Sequence, residues 1–482
     1  MTHNTPSSTK KTKIVCTVGP ATSSEEKLAE LLKAGMNVMR LNFSHGDFAE
    51  HQAKVDNLRK AMNKTGIPCA IMQDLSGPKF RLGDFYQERV QLKAGDYITL
   101  TTEKIVGDEK RVSVNYPTLH EEILPGNLIM VDDGKKKFEV VSIKGTEIKC
   151  KILVGGDTKG RRALNLPGAP LKLSALTPKD KADIAFGVKN NVDIVAFSFV
   201  RKPSDVIELR GILEKNKLKA KILSKMETVE SVRDFDAILK EVDMVMVARG
   251  DLAVELGHEN VPVAQKMMID KANKVGKPVI TATQMLESMI KSPVPTRAEV
   301  SDVANAIFDG TDAVMLSEET TLGEFPVEAV RMMATIAEKV ENSEGYINSF
   351  KDAKRLKVDL SSENLVDAVT SEAVDLANSL GAKAIVALTA SGRTALMISR
   401  YKSARPIFAL TPNAKVFNQL QVSYGVTPVI IPKIKTLNEV LPHVKKLVIG
   451  KKIAKKGDRV VIAAGTPFDK AIDVNTVLVE TL

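Results

Sequence analysis

The chain has 482 residues, 44% of them hydrophobic and 27% charged, which is the composition of a globular protein and excludes a disordered or fibrous one. At roughly 100–200 residues per domain, this length predicts two to four domains. The chain has 69 lysine and arginine residues and 59 aspartate and glutamate residues, which gives a net charge of +10. This positive charge is dispersed along the chain and is accompanied by few aromatic residues. Nucleic-acid binding is therefore less favoured than a solvated basic face or the binding of small anionic substrates.

Eight short apolar runs alternate with amphipathic segments from residue 13 onward. The runs lack the alternation of half-exposed strands, as expected for strands buried on both faces of a parallel sheet. They lie at residues 13–18, 37–44, 69–74, 192–200, 220–226, 243–248, 278–283 and 312–317. Helical patterns lie between most of them, for example at residues 25–33, 47–64, 179–189 and 296–308. Eight strand–helix units predict a closed (β/α)8 TIM barrel, with an open doubly wound sheet as the alternative.

The third strand–helix unit is interrupted from about residue 83 to residue 171. Turn signals such as Asp133-Gly134 and Gly155-Gly156 separate short β-rich runs there. These runs lie at residues 97–100, 111–114, 128–131, 138–143 and 147–153. We expect an inserted small β-barrel domain over residues 76–172, which could act as a lid that excludes water. It would divide the barrel domain into residues 1–75 and 173–345.

A second α/β pattern follows a polar stretch at residues 341–361. Helices are expected at residues 363–380, 391–401, 414–424 and 437–448, and strands at 384–388, 407–410, 429–431, 459–463 and 476–480. This alternation predicts a separate C-terminal open-sheet α/β domain over residues 346–482.

Polar residues follow several of the predicted barrel strands, at the end where barrels of this kind carry their chemistry. They are Arg40, Asn42 and Ser44 at the second strand, Asp74 at the third, Lys225 and Glu227 at the fifth, Arg249, Gly250 and Asp251 at the sixth, and Thr283 at the seventh. Any one of them could be a simple capping residue. Together they favour an active site at one rim of the barrel.

Lys225 and Glu227 are two residues apart, so on a strand they share a face, and as an isolated pair they would most simply form an ion pair. Glu227 and Asp251, from neighbouring strands, provide the carboxylate oxygens that commonly hold Mg²⁺ together with substrate oxygens. A metal ion beside the Lys225 ammonium would suit phosphoryl or enolate chemistry. Gly250 would let backbone N–H groups approach a carboxylate or phosphate, or it would only form a buried turn.

A second candidate site lies in the C-terminal domain, between a predicted strand and a predicted helix. Small hydroxyl residues, a glycine and an arginine at such a position can bind phosphate. The residues are Thr389, Ser391, Gly392, Arg393 and Thr394. Ser391 could instead be an ordinary helix cap, but Arg393 and Thr394 exceed what a cap requires.

The three cysteines, Cys16, Cys69 and Cys150, have no CxxC spacing and are expected to be buried thiols in a reducing compartment. The first eleven residues lack the apolar core of a secretion signal. The longest apolar stretches, such as residues 192–200, are far shorter than the ~20 residues that span a bilayer. These features predict a cytoplasmic protein without a membrane segment.

Along essentially its whole length the sequence resembles the pyruvate kinase family. Five motifs carry the resemblance, and two more extend it through the eighth strand. They are MRLNFSHG at residues 39–46, DLSGPKFR at 74–81, SKME at 224–227, VARGDL at 247–252, TATQMLESM at 281–289, PTRAEV at 295–300 and DGTDAVMLS at 309–317. The resemblance implies phosphoryl transfer from phosphoenolpyruvate to ADP, which gives ATP and, after protonation of the enolate, pyruvate.

The resemblance also implies roles for individual residues. Glu227 and Asp251 would hold Mg²⁺, with Mn²⁺ as the alternative, while Lys225 neutralises the phosphoryl group in transfer and Arg40 grips it. Backbone amides of residues 249–251 would receive the substrate carboxylate. Thr283 would lie near the carbon that gains a proton. The nucleotide phosphates would be contacted by Asn42, Ser44, His45, Arg81 and Arg162, and Arg81 would also take part in catalysis.

One departure from the family pattern concerns K⁺. Many members require this ion and bind it with side chains that match Asn42, Ser44 and Asp74 and with a carbonyl that matches Leu75. Those members tend to carry Glu where this chain has Lys79. Because an ammonium can replace K⁺ electrostatically, we predict K⁺-independent catalysis.

The family resemblance further implies a homotetramer and an effector pocket that matches residues 389–394. We expect activation by a phosphorylated sugar or AMP. Without the resemblance, the residues would also fit a Mg²⁺-dependent oxo-acid aldolase or lyase, or a phosphometabolite sensor without catalysis.

Overall fold

Eight parallel strands close into a barrel around which the other elements are arranged. The computed structural model describes residues 10–350, 365–467 and 472–482. The first part of the barrel comprises β1 (Lys13–Thr17), α1 (Glu25–Ala34), β2 (Val38–Asn42), α2 (Phe48–Thr65) and β3 (Ala70–Asp74). Asp47 caps α2 by accepting a hydrogen bond from the Glu50 N–H, and Gly66 ends the helix at a left-handed φ of 70°.

The inserted domain consists of short strands with a single helical turn. Its elements are β4 (Phe80–Arg81), β5 (Val90–Leu92), β6 (Tyr97–Thr101), β7 (Arg111–Ser113), α3 (Leu119–Glu122), β8 (Leu128–Val131), β9 (Lys136–Lys144), β10 (Glu147–Val154), β11 (Gly156–Thr158) and β12 (Ala163–Asn165). Seven strands form a sheet in the order β4-β12-β8-β9-β10-β6-β7, and β5 pairs with β11. A bridge between Leu82 and Val114 joins the two ends of the seven-stranded sheet, as the predicted small barrel requires.

The chain then returns to complete the barrel. The elements are α4 (Pro178–Asn190), β13 (Ile194–Phe197), α5 (Pro203–Lys215), β14 (Lys221–Met226), α6 (Val229–Arg233), α7 (Phe235–Glu241), β15 (Met244–Ala248), α8 (Arg249–Leu256), a 3₁₀ turn (His258–Asn260), α9 (Val261–Lys274), β16 (Val279–Ala282), a 3₁₀ turn (Glu287–Ile290), α10 (Arg297–Asp309), β17 (Ala313–Leu316), α11 (Glu318–Thr321), α12 (Pro326–Glu341) and α13 (Glu344–Ser349). The closed order is β1-β17-β16-β15-β14-β13-β3-β2, which confirms the predicted TIM barrel.

The barrel strands are buried on both faces, as their uninterrupted apolar runs predicted. One set of side chains, which includes Val15, Met72, Ala196 and Met246, forms a cluster inside the barrel. The alternate side chains pack outward against the helices, in a larger cluster that includes Val195. The three cysteines are also buried and free.

The C-terminal part is an open α/β sheet. Its elements are α14 (Leu365–Ser379), β18 (Ile385–Leu388), α15 (Arg393–Ser399), β19 (Ile407–Thr411), α16 (Ala414–Gln419), a 3₁₀ turn (Leu420–Val422), β20 (Val426–Ile430), α17 (Leu437–Gly450), β21 (Arg459–Ala464) and β22 (Thr476–Thr481). The strand order is β20-β19-β18-β21-β22, with only β22 antiparallel to its neighbour. Residues 363 and 364, where we predicted that the first helix begins, lie outside the described residues.

The predicted helix at residues 414–424 is wrong in its second half. The α-helix ends at Gln419, and the next three residues form a 3₁₀ turn. Val422 on that turn is fully buried and joins the apolar cluster inside the barrel. The chain leaves the helical path at this turn, and this change of direction places Val422 in the apolar cluster inside the barrel. The following strand accordingly begins at Val426 and not at residue 429.

The C-terminal domain packs against the amino end of the barrel strands. Lys402 pairs with Asp312, which directly precedes β17, at 2.8 Å. Lys415 pairs with Asp193, which directly precedes β13, at 3.1 Å. The carboxyl ends of the barrel strands therefore face the inserted domain and not the C-terminal domain. Within the described residues, no helix has the length and apolarity needed to cross a membrane.

Candidate active site

A cleft of about 400 Å³ lies between the carboxyl ends of the barrel strands and the inserted domain. Both parts of the chain contribute polar side chains to its wall, so residues far apart in sequence meet there. Of the predicted site residues it is lined by Arg40, Asn42, Ser44, Lys79, Arg81, Arg162, Lys225, Glu227 and Asp251. The convergence inferred from strand order alone is therefore present in the fold.

Lys225, at the end of β14, lies at the centre of a buried network of charges. Its Nζ is 2.7 Å from Glu227 Oε1 and 3.6 Å from Asp74 Oδ1, and it donates a 2.9 Å hydrogen bond to Ser198 Oγ. Arg40 Nε donates to Asp74 Oδ2 at 2.6 Å. Asp74 thus lies between two cations and holds both in fixed positions.

Burial and charge act in opposite directions on these groups. Burial alone would raise the pKa of Asp74, but the neighbouring Arg40 and Lys225 outweigh it and lower that pKa. Burial lowers the pKa of Lys225, but the carboxylates of Asp74 and Glu227 outweigh it and raise that pKa. Lys225 is therefore an ammonium and Asp74 a carboxylate at neutral pH.

Glu227 differs from Asp74 in its electrostatic balance. Burial raises its pKa, and the nearby Asp251 raises it further, against the opposing effects of Lys225 and the Phe199 N–H. Two acidic side chains that repel each other in a buried cleft are suited to share a divalent cation.

Two carboxylates are a donor set that could hold a divalent cation such as Mg²⁺. Among the described residues no group of three or more His, Cys, Asp or Glu side chains could hold a metal ion, so a dedicated protein cage is absent there. Mg²⁺ is commonly bound by one or two carboxylates, with waters and substrate oxygens as the remaining ligands. Glu227 and Asp251 match that pattern.

Arg249, Gly250 and Thr283 form a hydrogen-bonded group beside the cleft. We expected Gly250 either to expose backbone N–H groups or to form a buried turn; it lies in the first turn of helix α8, which begins at Arg249. The Gly250 N–H donates to Thr283 Oγ1 at 2.9 Å. The Arg249 guanidinium is held by Asp302, at 2.6 Å, so it is not available to a substrate, and a substrate carboxylate that binds the Gly250 N–H would replace Thr283 Oγ1 as its acceptor.

Thr283 adopts an unusual backbone conformation. Its φ is 73°, and that of the following Gln284 is 54°, a region that β-branched residues rarely occupy. The Arg249 guanidinium donates to the Thr283 carbonyl at 2.8 Å, which helps to hold this conformation. Such strain concentrates at functional sites.

Of the predicted nucleotide residues, Asn42, Ser44, Arg81 and Arg162 line the cleft, whereas His45 is not among its lining residues. Asn42 Oδ1 accepts the Ser44 N–H at 3.1 Å, and Arg81 donates to the carbonyl of Arg161 at 2.8 Å. Arg162 Nε is 3.3 Å from Asp132 Oδ1. His45 is exposed, and its pKa is lowered by partial burial and by nearby cations, first among them Lys79.

Two of the four residues that match the family's K⁺ ligands make other contacts in this structure. The Leu75 carbonyl accepts a 2.7 Å hydrogen bond from Ser198 Oγ, and Asp74 pairs with Arg40. Lys79 lines the cleft. Its pKa is lowered by burial and then by Lys225, while Asp251 and Asp74 act to raise it, so the Lys79 charge lies close enough to interact with both of these carboxylates.

Comparisons with known proteins agree with this arrangement along the whole chain. A family model described as the pyruvate kinase barrel domain matches residues 9–330, and one described as the pyruvate kinase alpha/beta domain matches residues 367–480. The chain belongs to the pyruvate kinase family. It is 43% identical to the pyruvate kinase of Clostridium perfringens over 98% of this chain and 100% of that protein.

Other pyruvate kinases support the same assignment. The chain is 42% identical to that of Geobacillus stearothermophilus, over 98% of this chain and 80% of the relative. A crystal structure of a pyruvate kinase from Cryptosporidium parvum superposes with a TM-score of 0.93 at 36% identity, covering 98% of this chain and 96% of that one. The aldolase or lyase and the non-catalytic sensor find no support among these relatives.

Four of the five C-terminal candidate residues, Thr389, Ser391, Arg393 and Thr394, line a second cavity of about 540 Å³, and Gly392 is not among its lining residues. The Gly392 N–H donates to Thr389 Oγ1 at 2.9 Å. The N-cap position of helix α15 is Gly392, with a φ of 91°, and Ser391 Oγ accepts the Arg393 N–H at 3.4 Å, so Ser391 makes a long capping contact from just before the helix. Arg393 forms an ion pair with Asp473 at 3.1 Å, and Thr394 lines the same C-terminal cavity.

Two contributors to the active-site cleft were missed from sequence. Ser198 Oγ links Lys225 to the Leu75 carbonyl, and the Phe199 N–H donates to Glu227 Oε2 at 2.9 Å. Both follow the fourth barrel strand, so the rule applied to the other strand ends could have found Ser198. The Phe199 contact involves a backbone amide, which no residue type signals.

Proposed function

We propose that the cleft at the carboxyl ends of the barrel strands is where this pyruvate kinase transfers the phosphoryl group of phosphoenolpyruvate to ADP. The observation that supports this most is the buried Lys225 ammonium, 2.7 Å from Glu227 and flanked by the Arg40–Asp74 pair. In phosphoryl transfer the protein mainly positions the reactants and neutralises charge. Fixed cations and paired carboxylates in a cleft supply both.

Mg²⁺ would be held by Glu227 and Asp251, and there it would supply positive charge to the phosphoryl and enolate oxygens. The Lys225 ammonium stabilises the phosphoryl group as its bond to the enol oxygen breaks and its bond to the ADP oxygen forms. Arg40 orients the phosphoryl group, because Asp74 fixes its guanidinium. The remaining enolate of pyruvate takes up a proton at carbon on the side of Thr283.

Substrate recognition divides between two parts of the cleft. The amides at the amino end of α8, from Arg249 to Asp251, receive the substrate carboxylate, which is favoured at a helix N-terminus. The nucleotide phosphates contact Asn42, Ser44, His45, Arg81 and Arg162. The inserted domain, residues 76–172, closes over both parts as a lid between the barrel segments 1–75 and 173–345.

Further properties extend this proposal. The Lys79 ammonium takes the electrostatic role of K⁺, so catalysis does not require that ion. The C-terminal domain, residues 346–482, binds a phosphorylated sugar or AMP in the pocket of Arg393 and activates the enzyme. The enzyme is a cytoplasmic homotetramer, and Mn²⁺ can replace Mg²⁺.

Replacement of Lys225 by Met tests the proposal. We expect the rate of pyruvate formation to fall by about 10²–10³-fold, the usual effect of removing one group that stabilises transition-state charge. Lys221→Met is a matched control, since Lys221 lies on the same strand β14 but pairs with Asp243 at 3.1 Å, remote from the cleft. Near-normal turnover in Lys225→Met, or in Glu227→Gln, would refute the proposal.

A further inference from the structure

The loop between β2 and α2, residues 43–46, carries two of the proposed nucleotide contacts, Ser44 and His45. Its first residue is anchored from outside the loop, because the Phe43 carbonyl accepts hydrogen bonds from Ser76 Oγ and from Lys179 Nζ, both at 2.8 Å. The other end of the loop needs a separate anchor. His51, one turn into α2, supplies one: its Nε2 lies 3.0 Å from the His45 carbonyl oxygen.

His51 is buried beneath the loop, with 1% of its surface exposed. Its ring stacks on that of Phe43, with centroids 4.2 Å apart and planes 12° from parallel. Phe186 approaches the His51 ring edge-on at 6.1 Å. The same imidazole therefore contacts the loop twice, through the Phe43 ring and through the His45 carbonyl.

The chemistry of the His51 ring determines which nitrogen carries the proton. A carbonyl oxygen only accepts, so Nε2 bears the hydrogen and donates it. Nδ1 has no hydrogen-bond partner within the described residues. Burial, and then the nearby Lys54, lower the pKa of His51 to about 4, so the ring is neutral in the physiological range. No titration is needed for it to act as a donor.

The loop follows the His51 ring closely. Gly46 has a φ of 76°, and a Cβ at this position would lie 2.6 Å from Glu50 Oε2 and 3.5 Å from His51 Nε2. A Cβ at residue 46 would displace the Glu50 carboxylate and would make an ordinary contact with the His51 ring, so it is chiefly the left-handed φ that favours glycine here.

We propose that His51 is a positioning residue that holds the 43–46 loop in the shape required to bind the nucleoside diphosphate. This inference rests on the proposed nucleotide role of Ser44 and His45. Loss of the donated hydrogen bond would leave the His45 carbonyl without its partner and would loosen this end of the loop, which would then be held only by the Asn42 acceptors of the Ser44 and His45 N–H groups and by the Asp47 cap of α2. Arg40, Lys225 and Glu227 have anchors of their own, so phosphoenolpyruvate binding would be spared.

The test compares two substitutions in the full-length enzyme. His51→Phe keeps an aromatic ring for stacking on Phe43 but removes the donor, and we expect the KM for ADP to rise about five- to tenfold, as for loss of one hydrogen bond. The KM for phosphoenolpyruvate and the kcat should change less than about twofold. His51→Gln places an amide N–H near the position of Nε2 and should restore the KM for ADP to within about twofold of the original. His258→Phe is a control, because it replaces an exposed histidine outside the loop by the same residue type.

Ser44→Ala and Arg81→Ala separate this inference from the proposal on which it rests. If these two variants raise the KM for ADP and His51→Phe does not, the positioning role is wrong and the nucleotide site stands. If Ser44→Ala and Arg81→Ala leave that KM unchanged, the nucleotide assignment is wrong and the inference falls with it. If His51→Phe raised the KM for ADP and the KM for phosphoenolpyruvate equally, or if His51→Gln did not restore the KM for ADP, the role of His51 would be merely structural and the inference would be overturned. Should His51→Phe not fold, His51→Leu provides the donor-free variant.

Discussion

The buried Lys402–Asp312 pair offers a quantitative test of how the C-terminal domain is held on the barrel. The Lys402 side chain is 0% exposed and that of Asp312 is 5% exposed, with 2.8 Å between Nζ and Oδ1. Asp312 Oδ1 also accepts the Tyr424 N–H at 3.2 Å, and Oδ2 accepts the Val279 N–H at 3.0 Å. Lys402→Met removes the cation and leaves the carboxylate buried with only these amide donors.

The expected cost follows from burial. Removing one partner of a buried ion pair destabilises a protein by about 3–5 kcal/mol, because an uncompensated charge remains. The pair Lys274–Asp270 is a matched control, since its Nζ–O distance is 2.7 Å but its side chains are 46% and 50% exposed. Lys274→Met should therefore cost no more than about 1 kcal/mol.

Urea unfolding of the full chain, followed by circular dichroism, measures the difference. For a cooperative unit with an m-value of about 3 kcal/mol/M, Lys402→Met should lower the midpoint by about 1–1.7 M. Lys402→Met combined with Asp312→Asn should recover part of this loss, because no buried charge is left unpaired. Equal midpoint shifts for Lys402→Met and Lys274→Met would refute the reasoning.

Three further predictions concern the cleft and the effector pocket. Turnover should be the same in buffers free of K⁺ and Na⁺ as in K⁺, and Lys79→Glu should introduce a K⁺ requirement; a collapse in turnover of the original enzyme that K⁺ restores would contradict this. Arg393→Ala should abolish activation by AMP or sugar phosphates while maximal turnover persists, and a normal response in a titration with these effectors would show that the site is misassigned. Burial, and then Glu230, raise the pKa of Glu255 from 4.5 to about 8. Between these two pH values the folded state keeps a proton that the unfolded state releases, so the free energy of unfolding falls as the pH rises. The stability of Glu255→Gln relative to the original should accordingly grow between about pH 5 and about pH 8.5 in urea unfolding without divalent metal, whereas a constant difference would exclude this linkage.

Much of the active site could be predicted because its residues occupy equivalent places in a repeated unit. Arg40, Asp74, Lys225 and Asp251 each lie at or just beyond the carboxyl end of a barrel strand. Once the apolar runs are identified as parallel barrel strands, topology alone brings these ends together. For that reason Arg40, Lys225 and Asp251, which are up to 211 positions apart, line one cleft, and Asp74 contacts Arg40 and Lys225 beside it.

The contacts that orient those residues could not be predicted in the same way. The hydrogen bond of the Phe199 N–H to Glu227 and the donation of the Gly250 N–H to Thr283 both depend on backbone groups, which every residue type except proline carries. The stack of His51 on Phe43 depends on how α2 packs beneath its own preceding loop. None of these contacts leaves a periodic pattern in the chain.

The sequence by itself determined the barrel strands, the inserted β domain and the chemical types of the cleft residues, because burial on both faces, alternation and turn residues are local properties of the chain. Only the tertiary structure decided that the 414–424 segment leaves its helix at Gln419 so that Val422 can fill the barrel interior, and that Lys402 meets Asp312 across the domain boundary. Those outcomes depend on the free energy of packing between distant segments, which outweighs local helix propensity and has no signature in the neighbouring residues.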